Sequence, residues 1–217
     1  MADATNIIAA TISSDGASIY CAPTGTAAPN APTVEPDAAW IELGWVSEDG
    51  VTNGIQRDTT KHYAWGGSVV KTTQDKYTET FKFALLESSR EVLELVFGKD
   101  NVTGTGDNIL VDHTEKMLDR QSFLIDFVDG DRIGRHYIKD GMVTEVGDLV
   151  YTHKGLLQYE LTVDVYKPAD GTAAVETSFA KAPASGGTAQ QGATGGGADA
   201  GYQAPTTANV QVKAKGA

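Results

Sequence analysis

The side chains from which this chain could build a reactive centre are few: His62, His113, His136 and His153, the lone cysteine Cys21, and carboxylates drawn from 29 acidic residues. Metal-binding helices place histidines four apart, as in His-Glu-x-x-His, and none of these histidines is so spaced. Isolated histidines of this kind read as surface or hydrogen-bonded groups. Cys21 follows Tyr20 in a strand-like stretch and reads as a small buried hydrophobe. Acyl transfer would call for a Gly-x-Ser-x-Gly elbow and phosphate binding for a glycine-rich loop after a strand. The nearest match, Gly104-Thr105-Gly106, has Ile109 where the third glycine belongs. Asp126–Asp131 lacks the alternating ligands and distal glutamate of a calcium loop, and Asp129-Gly130 already reads as a turn. With 29 acids, pairs of carboxylates arise without design. The sequence therefore predicts no catalytic residue, no metal site and no cofactor.

The elements that would position any site are mostly strands. Over Leu157–Val165, Leu157, Tyr159, Leu161, Val163 and Val165 face one way, while Gln158, Glu160, Thr162 and Asp164 face the other. Asp129-Gly130 and Asp140-Gly141 have the composition of two-residue hairpin turns. With Gln121–Val128, Arg132–Lys139 and Met142–Thr152 they predict a four-strand antiparallel meander ending in Leu157–Val165. Upstream, Ala17–Ala22, Ala39–Val46 and Tyr77–Leu85 read as further strands. One helix is expected at about 88–97, with Ser88 and Glu91 as a capping box and Gly98 as its stop. The fold class is thus mainly β, a sandwich or partly closed barrel with one flanking helix.

Composition divides the chain near residue 167. Residues 168–217 hold 9 of the 24 glycines and 14 alanines, with three acids balanced by three bases. They read as a Gly/Ala-rich extension, ending in an alternating stretch at 209–213 that is either a frayed terminus or a docking strand. Residues 1–167 carry the whole net charge of −12. Such a charge excludes the usual basic nucleic-acid binder, and fits equally a surface that repels DNA or simple solubility. Met1-Ala2-Asp3-Ala4 has an acid where a secretory leader is basic, and no run approaches the ~18 apolar residues of a membrane helix, so a soluble product is expected. Two irregular stretches stand out within residues 1–167. Residues 22–37 contain four prolines and read as a long loop. Residues 48–75 are polar, place Asn53-Gly54 at an expected turn, and concentrate Arg57, Lys61 and Lys71. This second stretch is either a solvated excursion or a docking hairpin whose bases meet acids on another copy. Trp40, Trp45 and Trp65 suit an interface as well as a core.

The run Leu43-Gly44-Trp45-Val46-Ser47-Glu48-Asp49-Gly50-Val51, followed by Arg57-Asp58-Thr59, Ala64-Trp65-Gly66-Gly67, Val69-Val70 and Phe81 through Gly98, resembles the major tail tube proteins of bacteriophages with long non-contractile tails. It looks most like those of phages infecting actinobacteria, and the likeness covers roughly residues 35–165. The resemblance implies a β-sandwich whose copies form hexameric rings, each contributing four strands to a continuous inner β-barrel. Stacked rings would make a tube filled by a tape-measure protein during assembly, closed by tail terminator and tail tip proteins, and traversed by DNA. It implies a virion protein that assembles in the host cytoplasm. The inter-ring contact would map onto residues 48–75, with Arg57, Asp58, Lys61 and Trp65, and onto the arm at 1–15. The lumen wall would include Gln158, Glu160, Thr162 and Asp164, while Asp126 has neighbours that leave its face open. The other class in play is a β-sandwich recognition module binding a glycan or host surface at the tail.

Overall fold

The computed structural model describes residues 7–11, 18–106 and 108–181. The short strand expected at 209–213 lies outside these. The described chain is mainly β, with a single α-helix among those residues. In chain order the elements are β1 (Ile19–Pro23), β2 (Ile41–Glu42), β3 (Val46–Tyr63), β4 (Val69–Leu85), α1 (Arg90–Phe97), β5 (Val102–Thr105), β6 (Asn108–Val111), β7 (Gln121–Asp129), β8 (Arg132–Val146), β9 (Tyr159–Val165) and β10 (Val175–Lys181). The main sheet runs β2-β1-β7-β8-β9-β4-β3, with β10 also paired to β8, and β5 and β6 form a separate hairpin. Every strand pairing is antiparallel.

β8 belongs to two half-sheets. Residues 132–138 lie between β7 and β10, whereas from Gly141 onward the strand pairs with β9. Asp140-Gly141, expected to be a hairpin turn, therefore sits inside a strand, and the expected four-strand meander is three strands, one of them long. The glycine is needed for closeness. A Cβ at Gly141 would stand 2.9 Å from Val163 Cγ1 and 3.1 Å from Phe123 Cδ2. Register shifts between Gln121 and Phe123 and between Val143 and Glu145 flank this point, as bulges do where a sheet bends. β10 falls inside the segment expected as an extension, yet pairs with β8 from Val175↔Ile138 to Lys181↔Arg132. Ion pairs Lys139–Glu176 at 2.6 Å and Lys181–Asp131 at 2.7 Å flank that seam.

The apolar faces of both halves meet in one core. Ile19, Phe123, Ile125 and Ile138 come from one half, and Phe81, Phe83, Leu161 and Val163 from the other. α1 buries Val92, Leu93, Leu95 and Val96 against it. The helix starts later than its sequence suggests. Ser89, not Ser88, is the cap, accepting from the Val92 amide at 3.4 Å, while the Ser88 hydroxyl meets that of Tyr159 at 3.0 Å. Gly98 ends the helix at φ 94°, its N–H donating to Glu94 O.

The outer faces of the two half-sheets differ. Over β1, β7 and the first half of β8, the proline-rich loop is held down by hydrogen bonds. Tyr137 Oη donates to Thr26 O at 2.8 Å, and Trp40 Nε1 donates to Ala27 O at 3.3 Å. Arg135 donates to Val34 O at 3.0 Å and clasps both carboxylate oxygens of Asp126 at 2.6 and 2.7 Å. Leu124, Ala22 and Trp40 form a second small core beneath the loop. β7 is thus covered on both faces, which is why Asp126 could not be given a side from its neighbours. The outer face of the other half carries no such layer among the described residues.

Two outcomes follow from this packing. Gly141→Ala forces a methyl between Val163 and Phe123 and should cost about 1–3 kcal/mol. Thermal unfolding should then occur roughly 2–10 °C lower, and an unchanged midpoint would show that the strand has room to spare. His136, on β8, lies against the rings of Phe81 and Phe127, at centroid distances of 5.6 and 5.3 Å, and its Nδ1 meets Thr177 Oγ1 of β10 at 2.8 Å. Burial holds the imidazole below its usual 6.5, with Glu79 pulling weakly the other way. The unfolded chain takes up this proton more readily, so the contribution is full above pH 6.5 and is lost as pH falls below it. Melting between about pH 7.5 and about pH 5.5 should show this loss, and His136→Gln should flatten that part of the profile.

Candidate assembly surfaces

Beyond the Gly54↔Thr80 pair, β3 and β4 leave the body as a two-stranded ribbon. Asn53-Gly54, expected as a turn, is paired inside β3, and the chain reverses instead at Ala64–Ser68. There the Ala64 N–H donates to Ser68 O, and the Gly67 N–H to Ala64 O, both at 2.8 Å. Gly67 takes φ 82°, a value that favours glycine. At ~3.3 Å per residue the ribbon reaches roughly 30 Å beyond the body. Nearly all its side chains are exposed, and Ile55, Tyr63, Trp65, Val69, Val70 and Tyr77 are apolar ones. A two-stranded ribbon without further cover is marginal in water, and this one presents a run of exposed apolar side chains.

The sequence-selected residues on the ribbon occupy different heights. Arg57 lies over the Tyr77 ring, 5.0 Å from its centroid, and Asp58 stands opposite Lys76 and accepts from Gln56 Nε2 at 3.1 Å. Lys61 is near the end, opposite Thr72, and Trp65 is fully exposed in the turn. The other tryptophans separate: Trp40 is buried and Trp45 is half exposed. The described part of the N-terminal arm follows the end of β7, where Thr11 and Val128 exchange backbone hydrogen bonds of 2.9 and 2.8 Å.

The second surface is the bare face of β8, β9, β4 and β3. Glu160, Thr162 and Asp164 point away from the core, as their alternation with Tyr159, Leu161 and Val163 requires. Gln158 Nε2 donates to Glu160 Oε1 at 3.4 Å. Register adds residues that the sequence reading missed. Lys82 and Glu145 flank Thr162, Thr80 and Met142 flank Asp164, and Thr52 stands beyond Lys82. Thr162 Oγ1 donates to Glu145 Oε2 at 3.3 Å. Lys82 was legible, since it alternates with Phe81 and Phe83. Glu145 was not, because the bulge after Val143 shifts the parity of its strand. The face is polar and predominantly anionic, with Glu145, Glu160 and Asp164 against Lys82.

This four-stranded unit has two open edges. Among the described residues, no strand pairs with the far side of β3, nor with β8 beyond Gly141 on the side away from β9. Cys21 is buried and burial pushes its thiol up to about 12, consistent with a packing role. Among the described residues, no group of three His, Cys, Asp or Glu could hold a metal ion, and no helix is long and apolar enough to cross a membrane.

No curated protein sequence matches the chain. Among solved structures, the cap of the anti-feeding prophage tube is similar at TM-score 0.43 and 7% identity, over 84% of this chain and 100% of that one. The sheath–tube complex of the extracellular contractile injection system PVC, in its extended state, gives TM-score 0.41 and 8% identity over 82% and 98%. A chain of the native gene transfer agent virion gives 0.37 and 12% over 78% and 99%. The sequence profile described as phage tail tube protein matches residues 2–182, which takes in β10. The chain belongs to the phage tail tube protein family.

Proposed function

We propose that this chain is the structural subunit of a tail tube of the long, non-contractile kind, assembling as stacked hexameric rings around a tape-measure protein and later conducting DNA. The observation that carries the reading is the four-stranded unit with one apolar face, one polar face and two open edges. β8, β9, β4 and β3 alternate in direction, so β3 of one copy laid beside β8 of a rotated copy continues the antiparallel pattern. Repeated around an axis, that pairing consumes both open edges and closes a barrel with the polar face inward. Gln158, Glu160, Thr162 and Asp164 then line the lumen together with Lys82 and Thr80. A wall with more carboxylates than ammonium groups repels phosphates and gives DNA nothing to hold. The ribbon projects along the strand direction and serves as the contact between rings. Terminator and tip proteins would meet the two ends of the tube. Assembly would take place in the cytoplasm of the host, with the likeness over residues 43–98 favouring an actinobacterial one, and the product would reside in the virion tail. The role is architectural and needs no catalytic residue.

Electron microscopy of the concentrated full chain, or of virions, should show six-fold rings and tubes. A chain that stays monomeric and binds glycans on an array would belong to the recognition class instead. Replacing Arg57–Tyr77 by an Asn-Gly turn between Gln56 and Thr78 should leave a folded body that no longer stacks, whereas intact tubes would remove the ribbon from the ring contact. Asp164→Lys should assemble normally but slow DNA release by about tenfold or more, read as the rate of genome loss from purified virions. Unaltered release would move that face away from the DNA path.

A further inference from the structure

A charge polarity runs along β3 and β4. From residue 59 to residue 74 the ribbon end carries Lys61, His62 and Lys71 and no carboxylate. The acids just below it are engaged within the ribbon. Asp58 stands opposite Lys76, and Asp75 accepts from the hydroxyls of Thr60 and Thr73. At the opposite end of the same two strands lies a groove lined by Asp49, Glu145 and Glu160, with Lys82 the one cation among its lining residues. Gly50 and Gly147 line it too, and Gly147 lies close against the Glu160 side chain. Asp49, Glu145 and Glu160 are all exposed.

We infer that the basic ribbon tip of one copy seats at the outer end of this carboxylate groove in the next copy along the tube, with Lys61 and Lys71 meeting Asp49 and Glu145 while Glu160 stays on the lumen side. The inference rests on the stacking role of the ribbon and names its receiver. Translation along the strand direction brings the tip of one copy to the opposite end of the next, because the two sites occupy opposite ends of one pair of strands. The contact is heterologous, so it propagates without limit, and its charges give it a sense. Tip against tip sets ammonium against ammonium, and groove against groove sets carboxylate against carboxylate, so reversed addition is repelled. Trp65 and Tyr63 supply the amphipathic aromatic area that a docking tip needs beyond charge.

Charge exchange in the full chain tests this. Lys61→Glu with Lys71→Glu should raise the critical concentration for tube growth about tenfold or more, and so should Asp49→Lys with Glu145→Lys. The four substitutions together restore opposite charges and should bring growth back to within about threefold of the parent. Independent losses that add without rescue would overturn the inference, while the ribbon would still be the stacking element if the shortened variant fails to stack. Cross-linking gives a second reading that does not require tubes. Chains with Ser68→Cys mixed with chains with Asp49→Cys should yield mixed disulfide dimers on oxidation, since Cys21 is buried and slow to compete. Dimers formed only between like chains would place the tip elsewhere.

Discussion

The structure depends on one strand being shared between two half-sheets. β8 passes from β7 and β10 to β9 at residue 141, where the missing side chain leaves room for Val163 and Phe123 to converge. A full side chain there would push those groups apart and separate the two apolar faces whose contact is the core. Bulges on either side supply the bend, and the glycine supplies the closeness. That passage brings Phe81, Phe83 and Leu161 of one half-sheet against Phe123 and Ile125 of the other in one core.

Sharing β8 also separates two jobs. The half-sheet of β1, β7 and early β8 is covered on both faces, by the core within and by the proline-rich loop without. Arg135 is central to that cover, because it neutralises Asp126 and satisfies loop carbonyls with the same guanidinium. A buried charge pair of this kind adds little net stability, but losing one partner is costly, so it fixes the loop in one position. The half-sheet of late β8, β9, β4 and β3 keeps its outer face polar and its edges unpaired. A monomer that seals one half so thoroughly and leaves the other open is asymmetric in a way that solubility alone does not require.

Much of this was legible in the sequence, where local pattern and tertiary demand agree. Leu157–Val165 alternates without interruption because β9 is straight and has one buried face, so its outward residues could be named. The same logic applied to Phe81 and Phe83 would have placed Lys82, which the sequence reading passed over. Reading failed where one local signal serves two purposes. Asp140-Gly141 and Asn53-Gly54 have the composition of tight turns, yet both glycines lie in strands. Gly141 answers to close side chains and Gly54 to the Thr80 hydroxyl, 3.0 Å from where its Cβ would be. Glu145 escaped because a bulge changes parity without any residue that announces it. β10 escaped because its neighbours in sequence are rich in Gly and Ala. Its place is fixed by partners on β8 some forty residues earlier, such as His136 for Thr177.

The ribbon shows how stability and assembly are coupled in a chain of this kind. Its two strands satisfy each other's backbone groups, so it can hold its form, but most of its aromatic and aliphatic area stays exposed in the single chain. Whatever covers them recovers the hydrophobic free energy that folding left unused. The cost of ordering that surface has been met beforehand by the hairpin ladder, so the contact loses less entropy on forming than a flexible loop would. The net charge of −12 works in the opposite direction and keeps monomers apart in solution. Only an approach that brings the basic end of one copy toward an acidic surface of another escapes that repulsion. On the proposed stacking, charge would suppress random association while permitting the directed kind, and the apolar ribbon would supply the affinity once the direction is right.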